Sequence, residues 1–385
     1  MAQNSSVLDS ATILHALRSV SNPDVKGDVL TAGMIQDLQV STDGAVSLRL
    51  VLSTPAHPMK AKLESEVRAA ITAVPGVKSV AVKLDAVVRG ANRTPSAPIG
   101  GAPANKGGVS SIEGVANIIA VSSGKGGVGK STVAVNLAMS LALEGARVGL
   151  MDTDVYGPNI PTMMGVTEQP KIIQHPTKGE LFIPPTAHGV KIMSMGFLID
   201  PDQPLVWRGP MLHSVISQFC HQVDWGMLDY LIVDMPPGTG DVQLSLAQMV
   251  PVTGAILVST PQEVSMQDVR KAWAMFDKVR IPIIGVVENM SYFKPDDSDK
   301  KYFIFGEGGG KILAAKFKTE LLAQIPIVPA IREGGDNGRP ITVSAPASAT
   351  SLTFREFGKR VAHKVAIMAA EGIDPNQIIQ IGKFN

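Results

Sequence analysis

Residues 124–131 read Gly-Lys-Gly-Gly-Val-Gly-Lys-Ser and fit the pattern G-x-x-x-x-G-K-S. Gly124, Gly126, Gly127 and Gly129 let the backbone turn its N–H groups inward as an anion nest around Val128. The helix that follows presents the positive end of its dipole to the same anion. Lys130 is spaced to reach β- and γ-phosphates, and Ser131, followed by Thr132, to place a hydroxyl on Mg²⁺. The loop also has the setting this chemistry needs, an apolar run, "VANIIAVS", before it and a helical stretch, 130–144, after it.

Three carboxylates accompany the loop. Asp234 closes the apolar run in "LDYLIVDMP", where a carboxylate can hold the metal, usually through water. Asp152 and Asp154, in "RVGLMDTD", end the strand expected after the phosphate-loop helix. That end of an open α/β sheet faces the ligand crevice. Asp152 joins Ser131 and Asp234 as a candidate Mg²⁺ ligand, and Asp154 is placed to orient an attacking water; a helix cap or turn is the alternative for both aspartates. Lys125 is a second cation in the loop. A positive charge there can stabilise the γ-phosphoryl oxygens in the transition state; a solvated loop lysine is the alternative.

The elements that position these groups are legible from hydrophobic period. Residues 9–19 and 58–73 have helical spacing, while "GMIQDLQVS", "AVSLRLVLS" and "VKSVAVKLDA" alternate as strands. They form a small α/β domain, 1–88. Residues 89–111 are rich in Gly, Pro, Ala and polar side chains and read as a flexible linker. From 112 to 385 apolar strands alternate with helical patterns, "TGAILVST" and "IPIIGVVEN" among the strands. That alternation predicts a mostly parallel sheet covered by helices on both faces. "SATSLTFREFGKRVAHKVAIMAAEG" supplies the last covering helix; an amphipathic helix lying on a membrane is the alternative.

The loop K-G-G-x-G-K-S resembles that of the deviant phosphate-loop ATPases, the family of MinD, ParA, the nitrogenase iron protein and Mrp. The resemblance implies ATP as the nucleotide and a homodimer in which Lys125 reaches the nucleotide of the other subunit. "DTDVYGPNIPTMMG", "VWRGPM", "LDYLIVDMPPGTGD", "ENMSYF" and "PAIREGGDNGRPI" are similar to the Mrp/ApbC branch, whose members carry and transfer iron–sulfur clusters. "NPDV" and "STPAHPM" resemble a small SufT-like domain fused in front of such proteins. By that likeness Asn289 meets the adenine edge and the segment from Pro329 lies beside the base. Gly157, Pro158, Gly238 and Gly240 then shape two switch regions, and Arg208 supports the dimer face, a surface arginine of no special role being the alternative. The implied work is iron–sulfur cluster assembly or delivery to client apoproteins.

The chain departs from that family at its thiols. Many relatives carry Cys-x-x-Cys shortly after the stretch matching "ENMSYF"; here the loop reads "SYFKPDDSDKKYFIFG". Lys294, Asp296, Asp297 and Asp299 offer no soft ligand for iron–sulfide, and the loop is expected to be a solvated hairpin tip. His57 stands where the front domain often has cysteine. Cys220 is the only thiol, on an expected helix, and is a weak ligand candidate beside the usual reading of a core residue; His57 and His221 have no spacing that joins them to it. An iron–sulfur cluster is therefore implied by the family and opposed by the residues. A nucleotide-switched adaptor without a cluster is the competing reading.

Composition bounds the rest. With 35 basic against 34 acidic residues, no broad cationic surface for nucleic acid is indicated, which also weighs against an ATPase tracking DNA. The chain shows no secretory signal and no apolar run fit to span a membrane. A single cysteine excludes an internal disulfide, and the expected location is the cytoplasm.

Overall fold

A computed structural model describes residues 8–90, 111–198 and 209–370, except positions 25, 156, 239, 241, 242, 245, 246, 248 and 296. Residues 91–110 of the expected linker, Asp296, Arg208 and the last two residues of the expected closing helix lie outside the described residues.

The small domain is a three-stranded sheet, β1 (Ile35–Val40), β2 (Ala45–Leu52) and β3 (Ser79–Ala86), in the order β1-β2-β3. β1 and β2 pair antiparallel, β2 and β3 parallel. Helices Ser10–Leu17 and Lys60–Thr72 bury Ile13, Leu17, Leu63, Val67 and Ile71 against Val46, Leu48 and Leu50. Asp9 caps the first helix by accepting the Thr12 N–H at 2.8 Å. The second helix starts two residues later than expected. The Pro55–Pro58 segment is a turn, closed by the His57 N–H on the Thr54 carbonyl at 3.2 Å.

The larger domain starts at β4 (Val115–Ser123) and β5 (Val148–Asp152). An antiparallel hairpin, β6 (Lys171–His175) with β7 (Gly179–Ile183), stands outside the main sheet. β8 (Thr186–Ala187), β9 (Val190–Ser194), β10 (Leu228–Asp234), β11 (Gly254–Ser259), β12 (Ile283–Glu288) and β13 (Leu321–Gln324) complete the strands. The eight-stranded sheet runs β13-β12-β11-β4-β10-β5-β9-β8, parallel except for β8. Every residue of β5, β10 and β11 is buried, which is why these strands are continuous apolar runs: both faces are covered. Polar side chains gather at the C-terminal ends of the parallel strands, as at Asp152 of β5, Asp234 of β10 and Glu288 of β12.

On one face lies helix Lys130–Leu143, buried from Val133 to Leu141, with helix Ala349–Ala370 packed over it. Gly358 permits that contact, since a Cβ there would stand 2.8 Å from the Ser140 Cβ. On the other face helices Gly209–His221, Glu263–Lys278 and Gly309–Lys316 bury Phe219, Phe276 and Leu313. No helix among the described residues is long and apolar enough to cross a membrane.

The two domains meet at the N-terminal ends of the parallel strands. The Tyr230 hydroxyl donates to Thr54 Oγ1 at 3.0 Å, and the Asn117 amide to the Arg89 carbonyl at 3.1 Å. Ala56 of the small domain is buried in the core of the larger one. This contact surface had no sequence expectation.

Candidate active site

The phosphate loop leaves β4 against helix Glu263–Lys278. A Cβ on Gly124 would stand 2.1 Å from the Asp268 carbonyl carbon, so only glycine passes. Gly127 and Gly129 adopt left-handed φ of 78° and 82°. Val128, between them, is buried and anchors the loop in the core. The Asn289 amide donates to the Val128 carbonyl at 2.8 Å. A Cβ on Gly126 or Gly127 would meet no heavy atom within 4 Å, so this side of the loop is the open concavity that an anion can enter.

Charge converges below the loop. Lys130, 5% exposed, places Nζ 2.7 Å from Asp234 Oδ1 and 3.8 Å from Asp154 Oδ2. The Ser131 hydroxyl donates to Asp234 Oδ2 at 2.6 Å. The parallel register sets Asp234 directly beside Asp152 on the neighbouring strand. Asp152 accepts the Asp154 N–H at 3.1 Å, the Ile160 N–H at 3.3 Å and the Ser194 hydroxyl at 2.8 Å. Burial first, then the Asp234 charge, push the Asp152 carboxyl up to about 7 against those hydrogen bonds and Lys130.

Three buried carboxylates thus surround one ammonium, which pairs with Asp234 and Asp154. An all-oxygen set with excess negative charge suits a hard divalent cation, so the residues fit Mg²⁺. Ser131 and Asp234 stand at the foot of the loop, paired with each other and with Lys130, contacts that a bound Mg²⁺ would replace, and Asp152 is held by three protein donors.

Of the other expected residues, Lys125 is half-buried, and among the described residues it makes no ion pair. Asn289 is buried with its amide on the loop, a contact the sequence reading did not include. Pro329 is exposed and begins helix Pro329–Asp336, which buries Gly334 and Gly335. The chain leading to it is tied beside Asn289 by Ile325 N–H to Glu288 O and Ser291 N–H to Ile325 O, at 2.8 and 2.9 Å. Gly157 and Pro158 follow Asp154, and Gly238, with φ 101°, and Gly240 follow Asp234, so both pairs border the crevice. Ser194, which holds Asp152, had no sequence signal because the short strand "VKIMS" was not expected.

The thiol is remote from this site. Cys220 is 4% exposed among Phe219, Trp225 and Met193 on the sheet face opposite helix Lys130–Leu143, and burial pushes its thiol up to about 12. His221 on the same helix is exposed, while His57 is buried at the domain junction, so the three do not converge. The 291–306 segment is a hairpin closed by the Phe293–Tyr302 bridge and the Lys294–Asp299 ion pair at 2.6 Å.

A glycine loop between strand and helix, a lysine and serine on the carboxylate ending a neighbouring strand, and a parallel sheet define a P-loop NTPase. The model of the NUBPL iron-transfer P-loop NTPase family matches residues 114–362, and that of an iron–sulfur cluster assembly protein domain matches 10–84. An iron–sulfur cluster carrier protein of Synechocystis sp. is 46% identical, covering 94% of this chain and 99% of the relative. One from Escherichia coli is 40% identical over 91% of each. A solved Archaeoglobus fulgidus nucleotide-binding protein in complex with ADP is 38% identical, covers 59% of this chain and 88% of its own, and superposes with a TM-score of 0.53. The chain belongs to the NUBPL-type iron-transfer P-loop NTPase family and is an ATP hydrolase whose function lies in iron–sulfur cluster assembly or transfer.

Proposed function

We propose that the chain is a slow, Mg²⁺-dependent ATPase that pairs with a second copy when ATP binds and assists cluster delivery without holding a bridging cluster itself. The observation carrying this reading is the division of labour between two loop cations. Lys130 is buried on Asp234 and Asp154, whereas Lys125 has no anion within its own chain among the described residues.

The loop N–H groups and Lys130 bind the β- and γ-phosphates. Ser131 and Asp234 hold Mg²⁺, which neutralises phosphate charge, and Asp152 keeps Asp234 and the Asp154 backbone in position. Asp154 orients the attacking water; it lies beside the Lys130 ammonium, which suits positioning rather than strong-base chemistry. Lys125 of one copy stabilises the γ-phosphoryl charge on the nucleotide of the other. Asn289 fixes the loop from the base side.

The cluster is cargo in this reading. Four thiolates are needed for a typical [4Fe–4S] centre, and a pair of chains owns two, both buried and protonated. Thiols from a client, an assembly partner or glutathione therefore supply the ligands, in the cytoplasm where cysteine stays reduced. Sedimentation with and without ATP, and anaerobic reconstitution with iron and sulfide followed by desalting, test the two halves. Expected are an ATP-dependent doubling of mass and no retained cluster. Unchanged mass, or stoichiometric sulfide retained on the protein, refutes the corresponding half.

A further inference from the structure

At the opposite end of the sheet from the phosphate loop, three side chains from two domains converge. Asp24 precedes the small domain's sheet, His57 lies in the turn before its second helix, and His363 is on helix Ala349–Ala370 of the ATPase domain. One ligand-type atom from each lies within 4.8 Å of the others, and among the described residues no other trio of acidic, histidine or cysteine side chains does so. Asp24 Oδ1 is 2.9 Å from His57 Nε2 and 3.2 Å from His363 Nδ1. Donors on a tetrahedral ion with bonds of about 2.0–2.1 Å stand roughly 3.3 Å apart, so small side-chain shifts suffice.

The surroundings are those of a supported site. His57 is 0% and Asp24 6% exposed at the side chain. His363 Nδ1 is buried and stands 3.2 Å from Asp24 Oδ1, while a quarter of the His363 side chain is exposed. The Ser53 hydroxyl donates to Asp24 Oδ2 at 2.7 Å and orients the carboxylate from behind. Burial alone would raise the Asp24 pKa, but contacts with His363, His57 and Ser53 outweigh it and hold the group ionised.

From this geometry we infer that Asp24, His57 and His363 form a binding site for one divalent first-row transition-metal ion, which fastens the small domain to the ATPase domain. Two imidazoles and a carboxylate suit Zn²⁺ or Fe²⁺ rather than Mg²⁺, which takes oxygen ligands. Three protein donors leave a tetrahedral ion one position for water or an exogenous ligand. The Met59 N–H donates to His57 Nδ1 at 3.1 Å, which places the proton of a neutral ring on Nε2, toward Asp24. Metal on Nε2 displaces that proton to Nδ1, and the Met59 N–H gives up its acceptor in exchange.

The test uses the full chain, stripped with chelator and dialysed against Zn²⁺, or anaerobically against Fe²⁺, in excess Mg²⁺, with metal counted by elemental analysis. Expected is one transition-metal ion per chain, lost in Asp24→Asn and His363→Gln, and bound roughly 10- to 100-fold more weakly in Ser53→Ala. Ser131→Ala, altered at the nucleotide site, should bind it fully, which separates this ion from the Mg²⁺ site. Co²⁺ should give a visible band in wild type that His363→Gln lacks, with both proteins showing the same circular dichroism. No ion bound by wild type, or binding unchanged in folded His363→Gln, overturns the assignment.

Discussion

Replacing Gly129 by alanine tests how the phosphate loop is held. With φ at 82°, an alanine carries a left-handed penalty of ~1–2 kcal/mol. Its Cβ would stand 2.1 Å from the Asn289 Nδ2, so the amide must swing off the Val128 carbonyl and lose a 2.8 Å hydrogen bond. A buried neutral bond contributes about 1 kcal/mol, giving a total of ~2–3 kcal/mol. For a domain of this size that is a fall in Tm of roughly 4–12 °C, measured without nucleotide so that binding does not mask it. Gly126→Ala is the control. Its Cβ meets nothing within 4 Å, so stability should stay within about 0.5 kcal/mol while nucleotide affinity falls, because the methyl occupies the anion's space. Asn289→Ala alone should cost about 1 kcal/mol, and the double variant with Gly129→Ala should fall short of additivity by about 1 kcal/mol, since both remove the same bond. Strict additivity, or equal Tm for Gly129→Ala and Gly126→Ala, would refute the reasoning.

Cys220 should resist disulfide-exchange labelling in the folded chain and react at the rate of opening, because its thiol is buried and protonated. Its folded pKa lies above the unfolded one, so this group's contribution to stability should be intact below pH 9 and lost toward about 12; Cys220→Ala should show a shallower alkaline slope in denaturation. Lys130→Ala should abolish hydrolysis, and Asp154→Ala should abolish it while retaining Mg·ATP binding; wild-type turnover in the latter removes Asp154 from the reaction. Lys125→Ala should weaken ATP-dependent pairing and lower turnover with near-normal nucleotide affinity, and turnover strictly linear in enzyme concentration with unchanged mass would argue for a monomer.

The phosphate site was legible because its function is written in contiguous residues. The loop, the strand before it and the helix after it occupy one unbroken stretch, and Asp152 and Asp234 end runs whose apolarity follows from burial on both faces. What escaped the sequence lies in contacts between distant segments. Ser194 reaches Asp152 from a strand of five residues, and "VKIMS" has no period that separates it from a loop. The Asn289–Val128 bond joins positions 161 residues apart. His57 read as a replaced cysteine and as an unsupported companion of Cys220, since nothing in the sequence shows that the turn carrying it packs on His363. The hairpin β6–β7 is mostly exposed, so its residues lack the alternation that marks half-buried strands.

The ends of the large sheet also bear on how copies of the chain can meet. One edge is the two-residue antiparallel β8; the other is the four-residue β13, flanked by Glu320 in ion pairs with Lys364 and Arg360 at 3.1 and 3.6 Å. Short, charge-guarded margins give an incoming strand little ladder to extend. Edge-to-edge growth, which has no natural stopping point, is thereby discouraged. Pairing across the crevice face is self-limiting, because each copy has one such face to offer. In the proposed cycle of pairing and parting this is an advantage: the edges of the large sheet give the unpaired form little seam along which to polymerise.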